Sequence, residues 1–207
     1  MGKELLSLAV VFICGVGVYV LARKSNRYDI LFVPAPWMEL LHGLLYLLIF
    51  FIHGWNIISG LYCLMTTALV LLSLVDLKSY EIPPSLNLWI LAFGIIHFFV
   101  NISLWRSWLI GFFAVSLPLY LLFLASDGRA IGGGDIKLMA VCGLMIGWKN
   151  ILLALFLGCI LGSVIHIARM KIRGADRVLA MGPYLAAGVY ISMLFGEEWI
   201  QWYLSGF

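Results

Sequence analysis

The chain has 207 residues, of which 64% are hydrophobic and only 11% charged, with a formal net charge of +3. A soluble domain carries roughly a quarter charged residues, so these side chains cannot cover a globular surface, and a bilayer is the solvent that suits them.

About 20 apolar residues at about 1.5 Å each cross the hydrocarbon core. Runs of this kind predict eight helices, in chain order Leu5–Ala22, Trp37–His53, Ile57–Val75, Ser85–Val100, Trp108–Ala125, Ile136–Trp148, Ile151–Ala168 and Pro183–Trp202. Leu, Phe and Gly dominate them without the period-2 alternation of a barrel strand. The fold class expected is therefore an all-α integral membrane protein, a polytopic bundle forming a single membrane-embedded domain over residues 1–207.

Lys3 is offset by Glu4 and no small-residue cleavage site follows the first run, which reads as a retained helix rather than a signal peptide. The polar stretch Arg23–Pro36 is too short for a folded soluble domain. Cys14, Cys63, Cys142 and Cys159 lie far apart inside apolar runs without a CxxC pair, so buried thiols are expected and a zinc site is not. Trp37, Trp105, Trp108, Trp148, Trp199 and Trp202 fall at helix ends, as an aromatic belt would have them. Gly143, Gly147, Gly158 and Gly162 suit close helix packing. His97 and His166 are expected to be packed and hydrogen-bonded, whereas Glu39, His42, Glu197 and Glu198 are expected at the interface.

If every run crosses, one side receives Arg23, Lys24, Arg27, Lys78, Arg129, Lys137, Arg169, Lys171, Arg173 and Arg177, and the other only Lys3, Arg106 and Lys149. The positive-inside rule then makes the first side cytoplasmic and puts both termini outside. The loops Asp76–Pro84, Ser126–Asp135 and Arg169–Gly182 fall on the cytoplasmic side, with Asp76, Glu81, Asp127, Asp135 and Asp176.

Two of these acids abut hydrocarbon, which makes them functional candidates. Asp76 ends the run LVLLSLVD, and Pro83 and Pro84 fix a turn soon after it. Asp135 opens a run and follows Gly132, Gly133 and Gly134, which permit left-handed angles or a close approach. The helix after it reaches only about 20 Å against about 30 Å of hydrocarbon, so either the bilayer is thinned or Asp135 starts below the surface. Two carboxyls within reach of each other share a proton; the ionised one activates water and the protonated one polarises a peptide carbonyl. Such hydrolysis needs no metal. By the helix dipole, Asp135 at an N-terminus should be the more acidic and Asp76 at a C-terminus the proton carrier.

Asp76 with Ile82-Pro83, and Gly132-Gly133-Gly134-Asp135-Ile136-Lys137, resemble the type IV prepilin peptidase family of GxGD membrane aspartyl proteases. Gly182-Pro183 resembles that family's late GP motif, and the likeness covers roughly residues 40 to 200. The resemblance implies an aspartic endopeptidase of type IV pilus or secretion systems. Such an enzyme cuts the basic leader of prepilins or pseudopilins at the cytoplasmic face of the cell membrane. It further implies that Asp76 and Asp135 are catalytic, that no metal serves the site, and that Lys137 supports an anionic dyad or contacts a headgroup. The partners expected are a prepilin-like substrate and the lipid bilayer, with no nucleic acid. Many members carry a cysteine-containing insert that methylates the new N-terminus. Arg23–Pro36 has no cysteine, so neither N-methyltransferase activity nor any cofactor is expected. Pro84 stands where the family often has Asp or Asn, leaving substrate contacts near that loop open. A transporter that binds ions at a broken helix is the reading from another class, disfavoured because only one interruption is found. A non-catalytic pilus assembly protein is a third.

Overall fold

The computed structural model describes residues 2–24, 36–173 and 179–206. Arg27, Asp176 and Arg177, which enter the charge count above, lie outside the described residues. Those described form helices α1 (Gly2–Lys24), α2 (Trp37–His53), α3 (Ile57–Ser79), α4 (Pro84–Val100), α5 (Trp105–Ala114), α6 (Ser116–Ala125), α7 (Gly133–Ile146), α8 (Trp148–Arg173) and α9 (Gly182–Ser205), with a 3₁₀ turn at Ile102–Leu104 and no strand. Ile57–Ser79, Ile102–Ala125 and Trp148–Ile172 are long and apolar enough to cross a membrane, and Ala9–Ala22, Trp37–His53 and Pro84–Val100 are shorter apolar helices.

Several expected boundaries move. The single helix expected over Trp108–Ala125 breaks at Val115 into α5 and α6. Pro118 has no N–H for the Ala114 carbonyl, and its ring crowds that carbonyl, so the ladder is interrupted one turn upstream. The Ser116 hydroxyl turns back to the Phe112 carbonyl across the break. The helix α3 continues past Val75 to Ser79, and α8 continues past Ala168 to Arg173, through part of an expected loop. Likewise α7 starts at Gly133 rather than Ile136 and stops at Gly147, whose φ of 81° a side chain would not tolerate.

The core lies where α3, α4, α7 and α9 meet, with Met65, Leu72, Leu86, Ile90, Leu138, Met139 and Leu185 fully buried. Small residues set how near these helices come. Gly143 faces the Gly111 backbone of α5, and Gly158 of α8 lies against Leu185 of α9. A methyl at either glycine would strike the neighbouring chain.

Glu39 and His42, expected at the interface, are instead buried. The face of α2 that carries them turns inward with Tyr46 and Ile49. Thr67 on α3 gives its one hydroxyl hydrogen to the Cys63 carbonyl at 3.2 Å, so both the His42 Nε2 (3.1 Å) and the Tyr46 hydroxyl (2.7 Å) donate to it. That partnership satisfies the His42 Nε2 and the Tyr46 hydroxyl inside the bundle. His97 is packed as expected, with Nε2 3.2 Å from the Asn101 amide and its ring against Trp108, while His166 is half-buried. Of the cysteines, Cys63 and Cys142 are buried but Cys14 and Cys159 are exposed on outward helix faces.

The ends of α3, α6 and α8 and the starts of α4, α7 and α9 gather at one end of the bundle. Lys78, Arg129, Lys137, Arg169 and Lys171 belong to that end, and Arg106 and Lys149 to the other.

Candidate active site

Asp76 lies in the last turn of α3 and is 5% exposed. The helix closes four residues later on Tyr80, whose left-handed backbone (φ 56°) returns its N–H to the Asp76 carbonyl at 2.9 Å. A bulky residue rarely adopts that conformation, so the reversal behind Asp76 is held by its surroundings. Pro83 then caps α4 and Pro84 occupies its first turn, where a missing N–H costs nothing.

Asp135 is the third residue of α7, its N–H returning to the Gly132 carbonyl at 3.1 Å. None of Gly132, Gly133 and Gly134 has a positive φ, so the glycines are not there for left-handed backbone, one of the two uses expected. They serve close approach. A Cβ on Gly134 would stand 3.0 Å from the Ile82 Cβ, and one on Gly132 would stand 3.0 Å from Asp135 Oδ2. Gly133 faces open space. The Ile82-Pro83 turn and the glycine run are thus two halves of one contact, which brings the end of α3 to the start of α7.

The third element is α9. The backbone N–H of Gly182, its first residue, donates to Asp76 Oδ2 at 2.8 Å. A Cβ there would lie 2.8 Å from the same oxygen, so only glycine fits. Asp76, at the carbonyl end of its own helix, therefore receives the positive end of another.

Both carboxyls line a cavity of about 320 Å³ together with Tyr80, Glu81, Ile82, Pro84, Gly132, Gly133 and Gly134. Among the candidates, Asp76, Asp135 and the three glycines are brought together there. Pro83 supports the turn from behind, and Lys137 is exposed on another face of α7, beside a cleft with Tyr120 and Ala140. Asp135 precedes the apolar part of α7, and its carboxyl is pushed up to about 6. Burial is the chief cause, followed by the charge of Asp76, with a backbone hydrogen bond from Gly132 acting against both. Among the described residues, no three His, Cys, Asp or Glu side chains are grouped to hold a metal.

Sequence reasoning did not assign Gly182, Tyr80, Glu81 or Asn87 to the site. Asn87 is buried in the first turns of α4, with its amide 3.5 Å from the Gly134 carbonyl. Gly182-Pro183 was legible as a helix start, but nothing in the sequence links it to a residue 106 positions away.

The profile of the type IV leader peptidase family matches residues 63–167, a stretch that holds both aspartates and the glycine run. The chain belongs to the type IV leader peptidase family. Relatives named "Prepilin leader peptidase/N-methyltransferase" include one from Aeromonas salmonicida, 31% identical over 89% of this chain and 63% of its own length. Others are from Aeromonas hydrophila, 30% identical over 74% of this chain and 55% of its own length, and Legionella pneumophila, 30% over 91% and 68%. The chain thus spans a little over half to about two-thirds of the length of these family members. No solved structure matches it.

Proposed function

We propose that this protein is an aspartyl endopeptidase of the cell membrane that removes the basic leader of a prepilin or pseudopilin. The observation that carries the reading is the shared cavity, in which carboxyls from the end of α3 and the start of α7 line one space. Membership of the leader peptidase family supports the substrate class.

The hydrogen bond from Gly182 supports Asp76 as the ionised partner, and the raised Asp135 supports that residue as the proton holder. This reverses the division expected from each residue's own helix dipole. In the forward step Asp76 takes a proton from water as the water oxygen bonds to the peptide carbonyl carbon, and Asp135 passes its proton to the carbonyl oxygen. Collapse of the resulting diol breaks the C–N bond. Asp76 then hands its proton to the departing nitrogen, and a diol hydroxyl returns one to Asp135, so the pair ends as it began.

The cavity end of the bundle faces the cytoplasm in this reading, and both termini lie outside. The excess of Lys and Arg at that end supports the orientation. The relatives' names include an N-methyltransferase; for this chain we propose the peptidase alone, because Arg23–Pro36 carries no cysteine. The test is co-expression with a prepilin. Leader loss is expected with wild type and none with Asp76→Asn or Asp135→Asn, and processing by either variant would refute the aspartyl mechanism.

A further inference from the structure

A second concavity, of about 390 Å³, runs between α2, α3 and α9 and is almost wholly apolar. On α3 its wall is Thr66, Val70, Ser73 and Leu77, and on α9 it is Pro183, Ala187 and Ile191. Both sets recur at three- and four-residue intervals, so each helix gives the groove one continuous stripe. Leu41 and Leu45 of α2 form the third side. The lining hydroxyls have their hydrogens engaged. Thr66 donates to the Tyr62 carbonyl at 2.8 Å, Ser73 to Leu69 at 2.6 Å, and Tyr190 to Leu45 at 2.7 Å. Among the described residues, an occupant therefore meets apolar surface and hydroxyls whose hydrogens are already engaged. From Thr66 to Leu77 the groove is about 16 Å long, the length of about eleven helical residues.

Its position selects among apolar occupants. The inner end is formed by Leu77 and Pro183, the chain neighbours of Asp76 and of Gly182, whose amide holds Asp76. A chain lying in the groove ends at Leu77 and Pro183, one residue along the sequence from the Asp76–Gly182 contact, and the candidate cavity beyond is lined, among the described residues, by Asp76, Glu81 and Asp135 and by no cation. An apolar stretch followed by a neutral or cationic one complements that sequence of surfaces, and an acidic one does not. A lipid chain would fill the groove but gains nothing from the carboxylates near its inner end.

We propose that the groove between α2, α3 and α9 seats, as a helix, the apolar segment of the substrate that adjoins the scissile bond. The assignment rests on the peptidase reading above and adds to it a place where affinity for the uncut chain is set. The other side of the cut, with its basic residues, then lies over the cavity and Glu81.

The experiment compares two substrates in proteoliposomes: a full prepilin, and a leader peptide truncated a few residues beyond the cut so that it does not reach the groove. Ala187→Trp and Val70→Trp are expected to raise KM for the full prepilin at least about tenfold more than for the short peptide. Leu121→Trp on the exposed face of α6 serves as the bulk control and is expected to leave that ratio as in wild type. Equal effects on both substrates, or none on either, would overturn the groove assignment while leaving the peptidase reading intact. Cleavage of neither substrate by wild type would defeat both. As a readout independent of turnover, a photo-cross-linker at Ala187 in the Asp76→Asn variant is expected to label apolar residues of the full prepilin. Adducts to lipid alone would overturn the assignment.

Discussion

The last turn of α3 and the first turn of α7 each offer one carboxyl to the same cavity, yet they are built on opposite plans. Asp76 sits inside a long apolar helix, almost wholly buried, and is held by a backbone amide from α9. Asp135 sits at the open end of a short helix, half-buried behind three glycines, and takes a local backbone hydrogen bond from Gly132. The buried acid is fixed by a distant element, and the accessible one by its own neighbours in sequence. The comparison teaches that a helix dipole must be reckoned from every helix end near a group. For Asp76 the start of α9 opposes the end of α3.

The comparison can be broken most directly at the carboxyls themselves. Asp76→Asn and Asp135→Asn are expected each to lower cleavage by about a thousandfold or more, as loss of a general acid or base does. Quantified leader release in membranes checks this, and comparable losses would show the two plans to be equally indispensable. Next in size is Gly182→Ala, whose methyl would stand 2.8 Å from Asp76 Oδ2. Displacing the amide leaves a buried carboxyl without its donor, at a cost of about 1–3 kcal/mol, and a fall in kcat of ten- to a hundredfold is expected. A variant with wild-type kcat would remove Gly182 from the account of Asp76.

The pH profile sharpens which acid holds the proton. With Asp135 raised to about 6 and active when protonated, kcat/KM should fall as pH rises through about 6, by about tenfold per unit beyond it. If Asp135 were instead the ionised base, the rate would climb through the same interval, and a profile of that sign would restore the assignment made from the individual helix dipoles.

Smaller effects are expected on the α7 side. Gly134→Ala presses on Ile82 and should cost about 1–2 kcal/mol of stability, seen as a lowered midpoint of thermal unfolding in detergent. Pairing it with Ile82→Val or Ile82→Ala should not restore that midpoint, because the clash is with the Ile82 Cβ, which both residues keep. The least effect is expected from Gly133→Ala, which meets open space, and from Lys137→Ala, which lies off the cavity: both within about threefold of wild-type cleavage. A large loss at Lys137 would give that residue a role in the site after all.

Much of this was legible before any coordinates. Low charge and long apolar runs are properties of composition, and they lead to helices because every backbone polar group in hydrocarbon must be satisfied within its own segment. The two aspartates stood out because a carboxyl beside an apolar run is costly wherever the chain goes. The shortness of α7 was likewise visible in the brief apolar run Ile136–Trp148 after the glycines.

What the sequence left undetermined are relations between segments far apart in it. The break at Val115 follows from Pro118, but a proline in an apolar run also permits a mere kink. The inward turn of His42 and Tyr46 depends on Thr67 being opposite them. Above all, the Gly182 amide meets Asp76 because α8 returns the chain to that end of the bundle and α9 begins there against the last turn of α3. Local sequence determined the helices and marked the two acids, through hydration and hydrogen-bond demand. Only the packing decided which acid would receive a third helix's amide.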